Sequence, residues 1–371
     1  MLLVAVSLLA VMWVHSDCAP CLQVPSTTPV DFPFVMPLDL RVHPEYQYET
    51  IWYVGVVHAN NGTSSEIQRS FGVEYMVVRT GEPCLDANAT NVPGVAWAAL
   101  ADPKTGIFRQ QFLLTNVSAN IRNASAAFFL EAGSWSIRQL PARNWTQQRL
   151  SGSGIDDRRL DTFGYDLLVS IEGRGPNHTQ AMGRNGLCRI VDPANTSAPD
   201  AVYHMEQPTL VAYGNVVVGG ETIAVNGTLW YQHMWGTPTI QPSGNKKMTW
   251  DWFYVRLSDG FKFQLVCFND YKASSYLNFV RPDGNNTFYA YDQFQLLGTD
   301  PWVSDNNETY FMTHIILLPA EGLNITVHTL ENDNVLRAFS QDAFYEGASR
   351  AFGVHRGGNV TGEAFTEHSN V

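Results

Sequence analysis

Ile51-Trp52-Tyr53-Val54-Gly55-Val56-Val57 runs into a Gly-containing turn and returns as Phe71-Gly72-Val73-Glu74-Tyr75-Met76-Val77-Val78. Trp250-Asp251-Trp252-Phe253-Tyr254-Val255-Arg256-Leu257 repeats that plan, turns at Asp259-Gly260, and returns as Phe261-Lys262-Phe263-Gln264-Leu265-Val266-Cys267-Phe268. Each is a Trp-rich strand, a hairpin and an aromatic return strand. Similar short runs of β-branched and aromatic residues, bounded by turn residues, recur at 94–100, 108–114, 126–130, 165–171, 209–218, 221–230, 309–318, 323–330 and 343–354. No amphipathic helix longer than three turns is evident. Such spacing predicts an all-β sandwich or barrel architecture. The repeat predicts two similar β-domains, 17–195 and 196–371, divided near Asp192 to Asp200. A ligand pocket is expected at their interface.

The composition narrows the function. The 371 residues are 45% hydrophobic and 12% aromatic but only 16% charged, and 23 Lys+Arg against 35 Asp+Glu give a net charge of −12. A nucleic-acid partner is not expected, because the phosphate backbone calls for a basic stripe. The apolar run Met1–Val14 is too short to span a bilayer and reads as a secretory signal ending at Ser16. Twelve N-x-S/T triplets, at Asn61, Asn88, Asn116, Asn123, Asn144, Asn177, Asn195, Asn226, Asn285, Asn307, Asn324 and Asn359, point to a secreted or lumenal glycoprotein. Cys18, Cys21, Cys84, Cys188 and Cys267 remain after cleavage. One or two disulfides and a leftover thiol are expected in an oxidising compartment.

Hydrolase, zincin and P-loop signatures are missing, and Gly173-Arg174-Gly175 lacks the third glycine and the helix of a dinucleotide loop. The ten histidines are scattered, so no metal and no cofactor are expected. The densest feature is Trp230-Tyr231-Gln232-His233-Met234-Trp235-Gly236, just ahead of Trp250-Asp251-Trp252. Strand alternation sends Trp230, Gln232 and Met234 to one face and Tyr231, His233 and Trp235 to the other. Aromatics serve core and pocket equally, so the cluster fits either a packed interior or the lining of an apolar site.

His43-Pro44-Glu45-Tyr46 followed by Thr50-Ile51-Trp52-Tyr53 resembles the opening motif of the carotenoid 1,2-hydratase (hydroxyneurosporene synthase)/AttH lipocalin-like superfamily. Gly227-Thr228-Leu229-Trp230-Tyr231-Gln232-His233-Met234-Trp235-Gly236 is similar to its Gly-Thr-Ala-Trp-x-Asp-His-x-Trp-Gly block, and Phe344-Tyr345-Glu346-Gly347-Ala348 to its closing motif. The resemblance covers essentially the whole mature chain. It implies two lipocalin-like β-domains, a hydrophobic pocket between them and a small hydrophobic natural-product substrate. The expected lining is Trp52, Glu74, Tyr203, Trp230, Trp235, Asp251, Trp252, Tyr345 and Glu346, with Gln232, His233 and Tyr231 as acting groups. Oligomeric state is left open.

The family holds water-adding hydratases and fungal cyclases that guide Diels–Alder and hetero-Diels–Alder reactions. Where the hydratases place an acidic residue, this chain has Gln232, and Thr50 replaces the opening Glu. An amide cannot serve as a general acid toward carbon. A pericyclic step needs none, only a dry pocket that juxtaposes the reacting groups. The expectation is therefore a cycloaddition catalyst. The alternatives are a hydratase using Glu74, Asp251 or Glu346 as surrogate acid, raised by burial, and a hydrophobic-ligand carrier.

Overall fold

The computed structural model describes residues 34–369 apart from 36–37, 61–68, 81–90, 120–127, 141–145, 172–178, 193–194, 238–248, 306 and 337–343. Regular structure there is strand, with a few single-turn 3-10 segments. The first sheet holds β1 (Tyr48–Ala59), β2 (Ser70–Thr80), β3 (Asn91–Asp102), β4 (Ile107–Ala119), β5 (Phe129–Ala132) and β6 (Trp135–Gln139). It continues with β7 (Gln147–Ile155), β8 (Thr162–Ile171), β9 (Gln180–Ala181), β10 (Leu187–Asp192), β11 (Asn195–Val218) and β12 (Glu221–Thr237). Pairing runs antiparallel along β11-β12-β1-β2 and on to β8, and β8 pairs back to β11, so these ten strands close into a barrel.

The second sheet holds β13 (Trp250–Leu257), β14 (Lys262–Phe268), β15 (Tyr276–Val280), β16 (Asn286–Ala290) and β17 (Gln295–Val303). It is completed by β18 (Thr309–Leu318), β19 (Leu323–Thr329), β20 (Val335–Leu336), β21 (Phe344–His355) and β22 (Gly358–Ser369). Its order β16-β15-β14-β13-β22-β21-β19-β18-β17 forms a half-barrel. The all-β expectation thus holds, with two β-barrel units. The expected division at 195/196 is corrected: β11 and β12 belong to the first sheet, and the change of sheet falls between Thr237 and Trp250.

Alternation explains why the Trp-rich strands read as unbroken apolar runs. On β1, Ile51 and Tyr53 enter the barrel core, while Trp52 and Val54 leave it. On β13, Phe253 and Val255 enter the half-barrel core, while Trp252 and Tyr254 leave it. The outward residues meet: Trp52, Met76, Trp97 and Trp230 pack against Trp252, Tyr254, Val266 and Phe365 in a third core between the sheets. A strand buried on both faces has no polar side to alternate with. The same tight turn closes matching hairpins: Gly219-Gly220 joins β11 to β12 and Arg356-Gly357 joins β21 to β22, with φ positive at all four residues, as two-residue hairpin turns require.

The signal segment, Cys18, Cys21, Cys84 and the sequons at Asn61, Asn88, Asn123, Asn144 and Asn177 lie outside the described residues. Asn116, Asn226, Asn285, Asn307, Asn324 and Asn359 are all exposed; Asn195 lies on β11. Cys188 and Cys267 are free thiols. No helix among the described residues is long and apolar enough to cross a membrane.

Candidate active site between the two sheets

Strand registers bring the two halves into correspondence. Trp52 stands opposite Met76 on β2 and Gln232 on β12; Trp252 stands opposite Val266 on β14 and Glu367 on β22. Carried outward, that match pairs Glu74 with Gln264 and Gln232 with Glu367. Trp97, opposite Met76, pairs with Tyr276, opposite Val266. Glu206, opposite Gln232, pairs with Glu346, opposite Glu367. The two halves exchange acid for amide at two matched positions. Where the first half has Glu74 and Gln232, the second has Gln264 and Glu367.

Glu74, Glu206, Glu346 and Glu367 are all buried, and indoles bind three of them. Glu74 Oε1 accepts from Trp52 Nε1 at 3.0 Å and Trp97 Nε1 at 2.6 Å. Glu367 Oε1 accepts from Trp250 Nε1 at 2.8 Å, and Glu206 Oε2 from Trp230 Nε1 at 2.9 Å. Tyr254 donates its hydroxyl to Gln232 Oε1 at 2.5 Å, tying the two sheets together. Glu346 is different: among the described residues neither of its carboxyl oxygens has a hydrogen-bond partner, and neither has Glu74 Oε2.

Among the described residues, no ion pair joins Glu74, Glu346 or Glu367 to a Lys or Arg. Burial without a compensating cation favours the neutral acid. Glu74 is pushed up to about 8 by burial and by the charge of Glu367, against the pull of the two indoles. Glu367 is pushed up to about 7 by burial, opposed by Trp250. Burial, with Glu74 and Glu367 nearby, holds Glu346 well above the carboxyl range. Neutral carboxylic acids and near-neutral carboxylates therefore share one dry, aromatic layer.

A cavity of about 340 Å³ opens between the sheets beside this layer, lined by His58, Ser70, Arg256, Arg350 and Glu363 among others. His58 Nε2 meets Glu363 Oε1 at 2.5 Å across the gap. A narrower pocket of about 30 Å³ shares Val56, Arg256 and Glu363 with it and is lined by Trp230, Tyr254 and Phe365. The larger volume lies at the low end for small-molecule sites.

The expected site residues divide. Trp52, Glu74, Trp230, Gln232, Trp252 and Glu346 come together between the sheets. Tyr231, His233 and Trp235 do not join Gln232, because alternation on β12 turns them into the barrel. Tyr203 packs at the barrel with Phe34, Tyr46 and Trp235. Asp251 and Tyr345 face the half-barrel side, against His368. Sequence reading missed Trp97, Trp250, Tyr254, Tyr276, His204, Glu206 and Glu367. His204-x-Glu206 on one strand face was the available signal for two of them; Glu367 lies on β22, which was not foreseen as a strand.

Histidines scattered in sequence are gathered by the fold. His43, Glu49 and His233 in the barrel, and Asp251, His314 and His368 in the half-barrel, each place three ligand-type atoms within 4.8 Å of one another. In both sets an imidazole already holds the carboxylate: His233 Nε2 to Glu49 Oε1 at 2.9 Å and His368 Nδ1 to Asp251 Oδ1 at 2.8 Å. Burial lowers His233, and burial beside His368 drives His314 down to about 3. Burial would raise Asp251, but the hydrogen bond and charge of His368 hold it below its ordinary value. Two imidazoles and one carboxylate suit a divalent transition metal.

The sequence pattern of the AttH-like family matches residues 27–369. A crystal structure of an AttH protein from Nitrosomonas europaea superposes with a TM-score of 0.71 at 19% identity, covering 94% of this chain and 98% of that one. Kievitone hydratase from Nectria haematococca superposes with a TM-score of 0.67 at 15% identity, covering 95% and 97%. Among curated proteins none matches the sequence.

Proposed function

The chain belongs to the AttH-like family, and from that premise we propose that it is a hydratase, adding water to an alkene of a small hydrophobic molecule bound between the two sheets. One observation carries this reading: Glu346 is a buried carboxyl, held protonated by its surroundings, with no hydrogen-bond partner for either oxygen among the described residues. Such a group is a general acid without a task in the resting protein.

Hydration divides naturally among the residues present. Glu346 gives its proton to one alkene carbon as the π bond opens. The cation that develops on the neighbouring carbon faces the indoles of Trp52 and Trp252, whose π faces favour positive charge. Water attacks that carbon, and its surplus proton passes to Glu367, whose position near 7 leaves it about half ionised and suits a base at neutral pH. The likeness to kievitone hydratase agrees with this chemistry.

The sequence favours cycloaddition because Gln232 replaces an acid. That reason falls away, since Glu367 occupies the matching position in the second half and Glu346 stands opposite it. One feature still serves a cyclase: Gln232 lies in the aromatic layer with its carbonyl oxygen held by Tyr254, leaving its amide N–H groups to bind a substrate carbonyl. Turnover of prenylated or terpenoid alkenes in oxygen-18 water separates the two. A hydratase incorporates one labelled oxygen, and Glu346→Gln lowers the rate by roughly 10²–10⁴-fold. An unlabelled product isomeric with its substrate identifies the cyclase, and binding without turnover a carrier.

A further inference from the structure

At the edge of the same interface a thiol, an imidazole and a carboxyl stand in line. Cys188 Sγ lies 3.2 Å from His204 Nδ1, and His204 Nε2 lies 2.7 Å from Glu206 Oε1. Trp230 Nε1 donates to the other oxygen of Glu206 and fixes its plane. Tyr276 OH completes the set, 3.0 Å from the sulfur and 3.1 Å from His204 Nδ1. His204 and Glu206 are fully buried, whereas Cys188 is half-buried. Gly183, at φ +62, leaves room for the sulfur: a Cβ there would stand 2.6 Å from Sγ. A nucleophile, a base and a group orienting the base, each within hydrogen-bond reach of the next, are the geometry of an activated thiol.

Two further atoms mark the place as a binding site. Trp252 packs against His204 with ring centroids 5.8 Å apart, and its buried indole N–H has no acceptor among the described residues. Gln264, whose amide reaches Tyr276, has a buried carbonyl oxygen with no donor. Unpaired polar atoms beside a nucleophile mark room for a polar ligand, and the unpaired indole donor calls for one that brings a carbonyl oxygen.

We propose that Cys188, His204 and Glu206 form a second reactive centre, where the thiolate takes up an electron-poor alkene, an α,β-unsaturated carbonyl compound, as a thioether. The Sγ–carbon bond forms at the β-carbon as the C=C π bond breaks. The electron pair moves to the α-carbon and carbonyl oxygen, and the α-carbon takes the proton that His204 received from the thiol. Nothing leaves and nothing is oxidised, so the adduct reverses by elimination. Trp252 is the donor beside His204 for the developing enolate oxygen. The step shares Trp252 with the hydration reading but uses neither of its acid and base groups, Glu346 and Glu367.

Electrostatics agree with the geometry. Burial alone would depress His204, but Cys188 and Glu206 raise it to about 9. The other groups facing the pair are Tyr276 from β15 and Tyr254 from β13, both kept protonated by burial, and Glu206, itself raised by burial against the pull of His204. Arg184 stacks on Phe288, which lies against Tyr276. Burial pushes the thiol of Cys267, the other described cysteine, up to about 11.

The test is alkylation of the folded full chain with methyl vinyl ketone from pH 5 to 9, read by intact mass and by mapping the Cys188 peptide. The expected result is one adduct at Cys188, with a rate at pH 6 within several-fold of that at pH 8. An ordinary thiol such as glutathione changes ~100-fold over that span. His204→Gln should bring Cys188 down to the glutathione profile. A glutathione-like profile in the unaltered protein overturns the proposal, whether or not the variant folds. So does reaction at Cys267 in place of Cys188, or recovery of Cys188 in a disulfide from the non-reduced digest.

Discussion

Glu346 and Glu367 face each other across β21 and β22, an arrangement of like groups that a sheet tolerates only if charge is withheld. Stability should report this directly. Glu74 and Glu367, raised from 4.5 to about 8 and about 7, add stability that is fully present below 4.5 and lost as pH climbs through 7 and 8. His314, lowered from 6.5 to about 3, acts in the opposite sense: its contribution is present above 6.5 and lost as pH falls toward 3. Between 4.5 and 6.5 two groups lose stability and one gains it, so thermal melting should be highest near pH 4.5 and decline by several degrees to pH 8. Glu74→Gln should flatten the alkaline limb. A melting temperature that rises steadily from pH 5 to 8 would contradict the neutral-carboxyl layer. Sequence could place Gln232 on the correct strand face, because alternation is local. It could not show that Glu367 stands at the matching position, because that match depends on pairing between strands far apart in the chain.

Elements were legible where both faces are apolar. β1, β2, β13 and β14 read as strands because each lines a domain core on one side and the shared core on the other. β22 escaped notice because Asn359, Thr361, Glu363, Glu367 and His368 break its hydrophobic pattern, although its polar groups carry much of the site. The central hairpins also depend on matched glycines. A Cβ at Gly227 would stand 2.2 Å from Val56 O, and one at Gly362 would stand 2.2 Å from Arg256 O, equivalent points in the two halves. Gly362→Ala must push β22, which carries Glu367, off β13 and should cost about 2 kcal/mol or more. Chemical denaturation measures this, and a shift under half that size would mean that the strands yield easily.

At the scale of the whole molecule, a sparsely charged chain with several apolar cores needs another means of staying dispersed. The exposed asparagines of the described sequons fit that role. Produced through a eukaryotic secretory route, the protein should lose mass in several glycan-sized steps under peptide-N-glycosidase treatment, and the stripped form should aggregate at lower concentration. A mass unchanged by the enzyme would remove the glycoprotein reading. The two-unit architecture was visible in the aromatic repeat, whereas its dividing point was not, since β11 and β12 return to close the first barrel.

The exchange of acid and amide between the halves bears on how the molecule has diversified. If the two units descend from one duplicated ancestor that was acidic at both positions, identical copies would have crowded carboxyls at all four of the positions now held by Glu74, Gln264, Gln232 and Glu367. A dry layer accepts few such groups, so an acid gained in one copy favours its loss in the other. The residue pairs should then behave as coupled characters in a double-mutant cycle. Gln264→Glu alone should destabilise the protein, and adding Glu74→Gln should restore part of the loss, beyond the sum of the single effects. Strict additivity would mean that each half acquired its charges without reference to the other.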